Sequence, residues 1–150
     1  MKWLIAFFLL TFCPVAFGQE IIEQRVLTQA LSALKTPYQW GGTNLAKGVD
    51  CSGFTSEVFK RVGANLPRTV SEQVRAGKQV SMRDIHVGDL VFFKDKPDGK
   101  ITHVGIYAGY GKMVHAPRKG TTVRIDIIYG KIYGPRFAQA RRIVESPPIY

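Results

Sequence analysis

A chain of 150 residues with 45% hydrophobic content has room for one domain with a real core and too little for two ordinary ones. Its formal net charge of +10 points to polyanionic partners, which outside the cytoplasm are anionic lipid headgroups and acidic wall polymers such as peptidoglycan. The sequence lacks the basic, aromatic-interleaved repeats of single-stranded nucleic-acid binders, so nucleic acid is not an expected partner.

The N-terminus reads as a secretory signal. Met1-Lys2 is a short basic start, Trp3 to Phe12 an apolar run, and Ala16-Phe17-Gly18 a small-x-small cleavage site, so residues 1–18 are expected to be removed and Gln19 to begin the mature domain. A retained anchor is the alternative, but the run falls short of the roughly 20 residues that span a bilayer. Lipid attachment at Cys13 would want a small residue where Phe12 stands. With no second apolar stretch of sufficient length, the mature chain is expected in the periplasm or outside the cell, without stable membrane insertion and as a monomer. Cleavage removes Lys2 and Cys13, leaving Cys51 as the single cysteine. A lone thiol where cysteines are usually paired is either buried and inert or reactive for a purpose.

Along the mature domain, Ile22, Val26, Ala30, Leu31 and Leu34 recur at helical spacing and predict an amphipathic helix ending near Lys35, with Pro37 as the stop. Tyr38-Gln39-Trp40-Gly41-Gly42 joins aromatics to glycines in a sharp turn. Trp40 is expected in the core, while the Tyr38 hydroxyl needs a partner wherever its ring is buried. Asp50 is placed to cap a second helix with Cys51 on its first turn and Phe54, Val58 and Val62 facing inward. A thiol at that position feels the helix dipole and unpaired N–H groups, which favour the thiolate. Gly63 ends the helix and Leu66-Pro67-Arg68 turns the chain. Thr69-Val70-Ser71-Glu72 fits a capping box opening a short third helix that stops at Gly77.

Beyond this point the period changes to that of strands. Leu90 to Phe93, Thr102 to Ala108, Met113 to Ala116, Thr121 to Ile127 and Phe137 to Val144 are β-rich runs, so the domain is expected to be α+β, with helices packed on a mostly antiparallel sheet of about five strands. Phe92-Phe93 divides between core and a cleft wall or surface, and the tail from Ser146, with Pro147-Pro148, is expected to be loose. If Gly109-Tyr110-Gly111 is a three-residue loop, Ala108 faces Lys112 and His115 lies opposite Gly105. His103 and His115 then share a face on the diagonal, about 7 Å apart at Cβ. A plain two-residue turn would send them to opposite faces.

Cys51, His103 and His115 are thus the parts of a thiol hydrolase: a nucleophile, a base, and a group that orients the base. Three other readings compete. The same residues could hold zinc, but they lack the paired local spacing that marks such sites, and no metal or other cofactor is expected. The domain could be a wall-binding module without turnover, or a thiol amidase or acyltransferase on another substrate. His86, in a turn before a strand, reads as a solvated histidine.

Tyr38-Gln39-Trp40-Gly41-Gly42, Asp50-Cys51-Ser52-Gly53, Leu66-Pro67-Arg68, Gly88 to Phe93, His103-Val104-Gly105-Ile106-Tyr107 and Val114-His115-Ala116 together resemble the NlpC/P60 family of cell-wall peptidases. The resemblance runs in order from about Thr36 to Pro117. It implies a papain-like α+β fold and an endopeptidase acting on amide bonds of peptidoglycan stem peptides or cross-links. By the same resemblance Cys51 is the nucleophile, His103 the base and His115 the orienting residue. Tyr38 matches a tyrosine that helps at the oxyanion, and Asp50 and Ser52 match positions that contact a substrate amino group in some members. Attraction to the wall is expected to come from the positive charge of the domain itself.

Overall fold

The computed structural model describes the backbone of residues 14–143 and side chains from Ile22 onward. The apolar run of the expected signal, Cys13 and the Ser146–Tyr150 tail lie outside the described residues. Three helices come first: α1 (Pro14–Ser32), α2 (Cys51–Arg61) and the single-turn α3 (Val70–Gln73). A two-stranded ribbon, β1 (Thr43–Asn44) and β2 (Gly48–Val49), sits between α1 and α2. The main sheet has six strands rather than about five: β3 (Lys78–Val80), β4 (Leu90–Lys94), β5 (Ile101–Gly109), β6 (Lys112–His115), β7 (Arg124–Ile127) and β8 (Phe137–Arg142). Their order is β3-β8-β4-β5-β6-β7, and every pairing in this sheet is antiparallel. The three-residue β3 carries no apolar alternation of its own and exists by pairing with β8, which is why its sequence is mute.

Side-chain alternation splits the sheet into two faces. Leu90, Phe92, Val104, Ile106 and Val114 pack with Val26, Ala30, Phe54 and Val58 of α1 and α2. Val91, Phe93, Tyr107 and Met113 form a second cluster on the opposite face with Ile128 and Ala140. Helix α1 ends three residues earlier than expected; it buries Val26 and Ala30, the turn after it buries Ala33, and Leu31 and Leu34 are exposed. The chain leaves that helix through Lys35 in the left-handed region.

Glycines set how closely the loop before α2 approaches the helix. A Cβ on Gly53 would fall 2.0 Å from the Gly42 carbonyl oxygen, and one on Gly42 would fall 2.5 Å from that of Gly48. Backbone therefore packs directly on backbone, and no space remains under the loop for a large ring. This overturns the expected burial of Trp40, whose side chain stands 87% exposed on the rim.

The β5–β6 hairpin also differs in detail from expectation. Gly109 pairs with Lys112 across a two-residue turn at Tyr110-Gly111, so Ala108 does not face Lys112. The register shifts between Tyr107 and Gly109, leaving Ala108 as a bulge that restores the parity a two-residue turn would have lost. Before the bulge Ile106 pairs with Val114, and a Cβ on Gly105 would lie 3.1 Å from His115 Cβ. The two histidines share a face, as the register argument requires. That face is the one opposite the helices.

Candidate active site

Cys51 stands on the first turn of α2 because Asp50 caps it: the Asp50 side chain accepts from Gly53 N–H at 2.7 Å. The same carboxylate accepts from Gly41 N–H at 3.0 Å and takes the Arg68 guanidinium as a fork, Nη1 to Oδ1 at 3.0 Å and Nη2 to Oδ2 at 2.7 Å. Arg68 Nη1 also donates to Ser52 Oγ at 2.9 Å. Buried Gln73 braces the turn from behind, donating to the carbonyls of Ser52 and Pro67 and accepting from Thr55 Oγ1. Burial alone would raise the Asp50 pKa, but the Arg68 fork and the Gly53 and Gly41 N–H groups outweigh it and hold the carboxyl below its ordinary range. Both oxygens of Asp50 are therefore occupied inside the protein.

Because the histidines lie on the far face of the sheet, Cys51 approaches them around the start of β5. Its Sγ lies 4.0 Å from the Thr102 carbonyl and, among the described residues, makes no hydrogen bond to His103. Both residues line one groove of about 580 Å³, together with Tyr38, Trp40, Arg68 and Pro117. Tyr38 has no hydrogen-bond partner for its hydroxyl among the described residues, and burial with the nearby charges of Cys51 and Asp50 raises its pKa. The Cys51 N–H likewise donates to no other residue among those described, as befits the first N–H of a helix.

His103 and His115 are directly joined, with Nε2 of the first 2.7 Å from Nδ1 of the second. Fully buried His115 places its Nε2 2.9 Å from Asp126 Oδ2, and that oxygen accepts from Arg124 Nε at 2.9 Å. Tyr133 closes the array, stacking on His103 at 6.1 Å and meeting His115 edge-on at 5.3 Å. The carboxylate dictates the protons. Asp126 is an acceptor, so His115 carries its hydrogen on Nε2 and offers a lone pair at Nδ1; His103 then donates from Nε2, leaving its Nδ1 as a free lone pair.

Electrostatics agree with neutral rings. Desolvation and the neighbouring His115 lower the His103 pKa from 6.5 to about 3, with Asp126 opposing. Burial also lowers His115, against the partial opposition of Asp126. For Cys51 the helix-terminus expectation fails. Desolvation and the Asp50 charge raise its pKa and outweigh the Val104, Ser52 and Cys51 N–H groups that favour the thiolate. Both shifts favour a thiol beside a neutral imidazole.

All six expected site residues thus meet around this groove or directly behind it. Arg68, Asp126, Arg124 and Tyr133 were not singled out from sequence. Arg68 was visible as part of a turn and of the Leu66-Pro67-Arg68 motif, but without a role of its own. Asp126 sits in a strand whose register follows an irregular connection, although a carboxylate alternating with Ile125 and Ile127 on the strand after His115 was a usable signal. His86, by contrast, is exposed as expected, with Nδ1 3.0 Å from Glu23 Oε1.

The NlpC/P60 family model matches residues 35–142. The chain belongs to the NlpC/P60 family. It is 42% identical over 130 residues to a γ-D-glutamyl-L-lysine dipeptidyl-peptidase of Bacillus subtilis, a match covering 86% of this chain and 43% of that protein. The fold matches the crystal structure of an NlpC/P60 family protein from Bacillus cereus with a TM-score of 0.77 at 35% identity, over 82% of this chain and 40% of the other. It matches the NlpC/P60 domain of the peptidoglycan hydrolase SagA with a TM-score of 0.70 at 30% identity, over 81% of this chain and 98% of that domain. The chain spans less than half the length of the dipeptidyl-peptidase, and it shares the papain-like α+β fold with the solved NlpC/P60 structures.

Proposed function

We propose that the chain is an exported cysteine endopeptidase that hydrolyses amide bonds in peptidoglycan stem peptides or cross-links through an acyl-enzyme on Cys51. The observation that carries this reading is the hydrogen-bond series His103–His115–Asp126, which leaves His103 Nδ1 as an acceptor beside the groove that holds the thiol. The names of the related proteins support a peptidoglycan substrate, and the N-terminal apolar run supports export after removal of residues 1–18.

In this mechanism Sγ attacks the carbonyl carbon while its proton passes to His103 Nδ1, so the nucleophile forms during attack rather than in the resting site. The oxyanion takes the free Cys51 N–H and the Tyr38 hydroxyl, each donor of this kind contributing about 3 kcal/mol where geometry is good. His103 Nδ1–H then protonates the departing amine, the C–N bond breaks, and the acyl group remains on sulfur. Water, deprotonated by the same nitrogen, releases it. His115 holds the base in its tautomer. Asp50 and Ser52 act on a substrate amino group through their hold on Arg68 and the charge of the cluster, since Asp50 has no unused oxygen.

Purified sacculi incubated with the chain should release peptides identifiable by mass, and Cys51→Ala should abolish release without lowering the melting temperature. Undiminished release by the alanine variant would sink the acyl-enzyme mechanism. The bond cut is read from the same spectra.

A further inference from the structure

Strand β7 closes one side of the sheet, and its outer edge is only half covered. On the inner side it pairs with β6, and just past it Ile128 N–H donates to the Gly111 carbonyl at 2.9 Å. Bonded residues alternate in an antiparallel ladder, so Asp126 and Arg124 also bond inward while the N–H and C=O groups of Ile125 and Ile127 turn outward. The same alternation carries back to Thr121 and Val123, where the outward side is taken. Lys35 N–H donates to the Val123 carbonyl at 2.9 Å, Val123 N–H to the Thr36 carbonyl at 2.8 Å and Tyr38 N–H to the Thr121 carbonyl at 2.9 Å. This edge therefore already accepts one extended segment, and Lys35, in the left-handed region, is where that segment begins. Among the described residues nothing bonds the outward groups of Ile125 and Ile127.

A groove of about 580 Å³, separate from the one that holds Cys51, runs along this open stretch. Successive side chains of a strand point to opposite faces, yet all four residues of β7 line the groove, so its floor is the strand edge itself. One lip carries Ile125 and Ile127, 43% and 60% exposed, with Lys112 paired opposite Ile127; Ile132 and Tyr133 stand on the other. The carboxylate in the lining, Asp126, already holds His115 and Arg124 through Oδ2, whereas Lys112 and Lys131 form no ion pair among the described residues. Unpaired backbone, apolar side chains and surplus positive charge thus meet in one place. We infer that this groove is a docking site for an extended segment of a partner protein, one that adds as a strand to β7 and alternates apolar with acidic residues. Extended backbone matches the open edge, apolar side chains rest on the isoleucines, and carboxylates reach Lys112 and Lys131. A second copy of this chain fits less well, because its formal net charge of +10 repels itself.

Amide hydrogen exchange read by NMR on the unmodified chain tests this. In the free chain Ile125 and Ile127 should exchange rapidly while Asp126, between them, is protected. A capped peptide of alternating glutamate and valine should slow exchange at Ile125 and Ile127. The same peptide with lysine for glutamate should bind roughly tenfold more weakly, the combined scale of two exposed charge pairs. N-methylation of its ladder-facing residues should abolish binding. Lys112→Glu/Lys131→Glu should reverse the charge preference. Ile127→Pro deletes an outward N–H, leaves the ladder to β6 intact, and should abolish peptide binding at an unchanged melting temperature; should that variant unfold, the charge reversal decides. No protection by the glutamate peptide, equal affinity for the glutamate and lysine peptides, or a preference that survives the charge reversal overturns the proposal. Protection that rises with the concentration of the chain alone overturns it in favour of a second copy, and binding of phosphatidylglycerol vesicles without binding of either peptide overturns it in favour of a lipid surface.

Discussion

Asp126 touches no substrate in the proposed mechanism, yet its removal should cost most of the activity. The carboxylate is the only group in the series that cannot donate, so it alone fixes where the protons lie on His115 and, one bond further, on His103. In Asp126→Ala, His115 is free to carry its hydrogen on Nδ1, pointing at His103 Nε2. That nitrogen must then accept, which puts the hydrogen of His103 on Nδ1 and removes the lone pair that takes the thiol proton. A charge-assisted hydrogen bond to a buried ring is worth about 1.5–3 kcal/mol. The Asp126 side chain is 26% exposed and shared with Arg124, which places the effect toward the lower end, about tenfold to thirtyfold in kcat/KM. Asp126→Asn, whose amide oxygen can still accept, should recover part of the loss. Muropeptide kinetics measure the rate and ring 15N shifts report the tautomer. An alanine variant within twofold of the parent, with both rings in the parent tautomer, would refute the relay.

Three further outcomes follow from the same geometry. Gly105→Ala would place a Cβ 2.9 Å from Met113 Sδ and 3.1 Å from His115 Cβ, so it should lower stability by about 1–3 kcal/mol and kcat/KM by more than the folded fraction explains, read by urea titration beside kinetics. Asp50→Ala removes the cap of α2 and unpairs Arg68, and should cost roughly 2–3 kcal/mol in urea titration while Asp50→Asn keeps the cap and costs less; equal losses would show that the cap is not what matters. For pH, His103 titrates near 6.5 when unfolded and about 3 when folded, so between those values the unfolded chain binds the extra proton. Stability from this group is complete above pH 6.5 and falls as pH drops toward 3, by about 1.4 kcal/mol per unit, a slope that His103→Gln should flatten. The acid limb of kcat/KM should correspondingly lie below pH 5.

The second and third helices were legible because each carries its own start signal, and the first from the spacing of its apolar residues. Asp50 caps Cys51, and the Thr69–Glu72 box appears with Thr69 N–H donating to Glu72 Oε2 at 3.2 Å. Core strands were legible from β-rich runs, since Phe92 and Phe93 alternate across two buried faces whatever their neighbours. Trp40 was misplaced for a reason that local pattern cannot supply: whether a ring is buried depends on the space beneath the loop, and here three glycine backbones fill it. The face to which α2 docks was equally invisible, because alternation says that two histidines share a face but not which layer covers it.

The thiol shows most clearly where sequence reasoning stops. A helix N-terminus lowers a cysteine pKa only where other effects do not outweigh it; here burial of the sulfur opposes the thiolate most, and the residue that caps the helix is itself an anion beside it. Asp50 therefore does two opposed things: it builds the turn that presents Cys51 and it discourages the thiolate there. Arg68, forked onto Asp50, limits the second effect without undoing the first. The consequence is a nucleophile that stays protonated until a neighbouring lone pair receives its proton, so iodoacetamide should label Cys51 slowly at neutral pH and faster as pH rises past 9, the opposite of a preformed thiolate. Asp50→Asn should speed labelling at neutral pH while leaving the helix capped. Rapid, pH-independent labelling of the parent chain would mean that a thiolate–imidazolium pair already exists at rest, and the proton transfer assigned to His103 Nδ1 would then precede substrate binding.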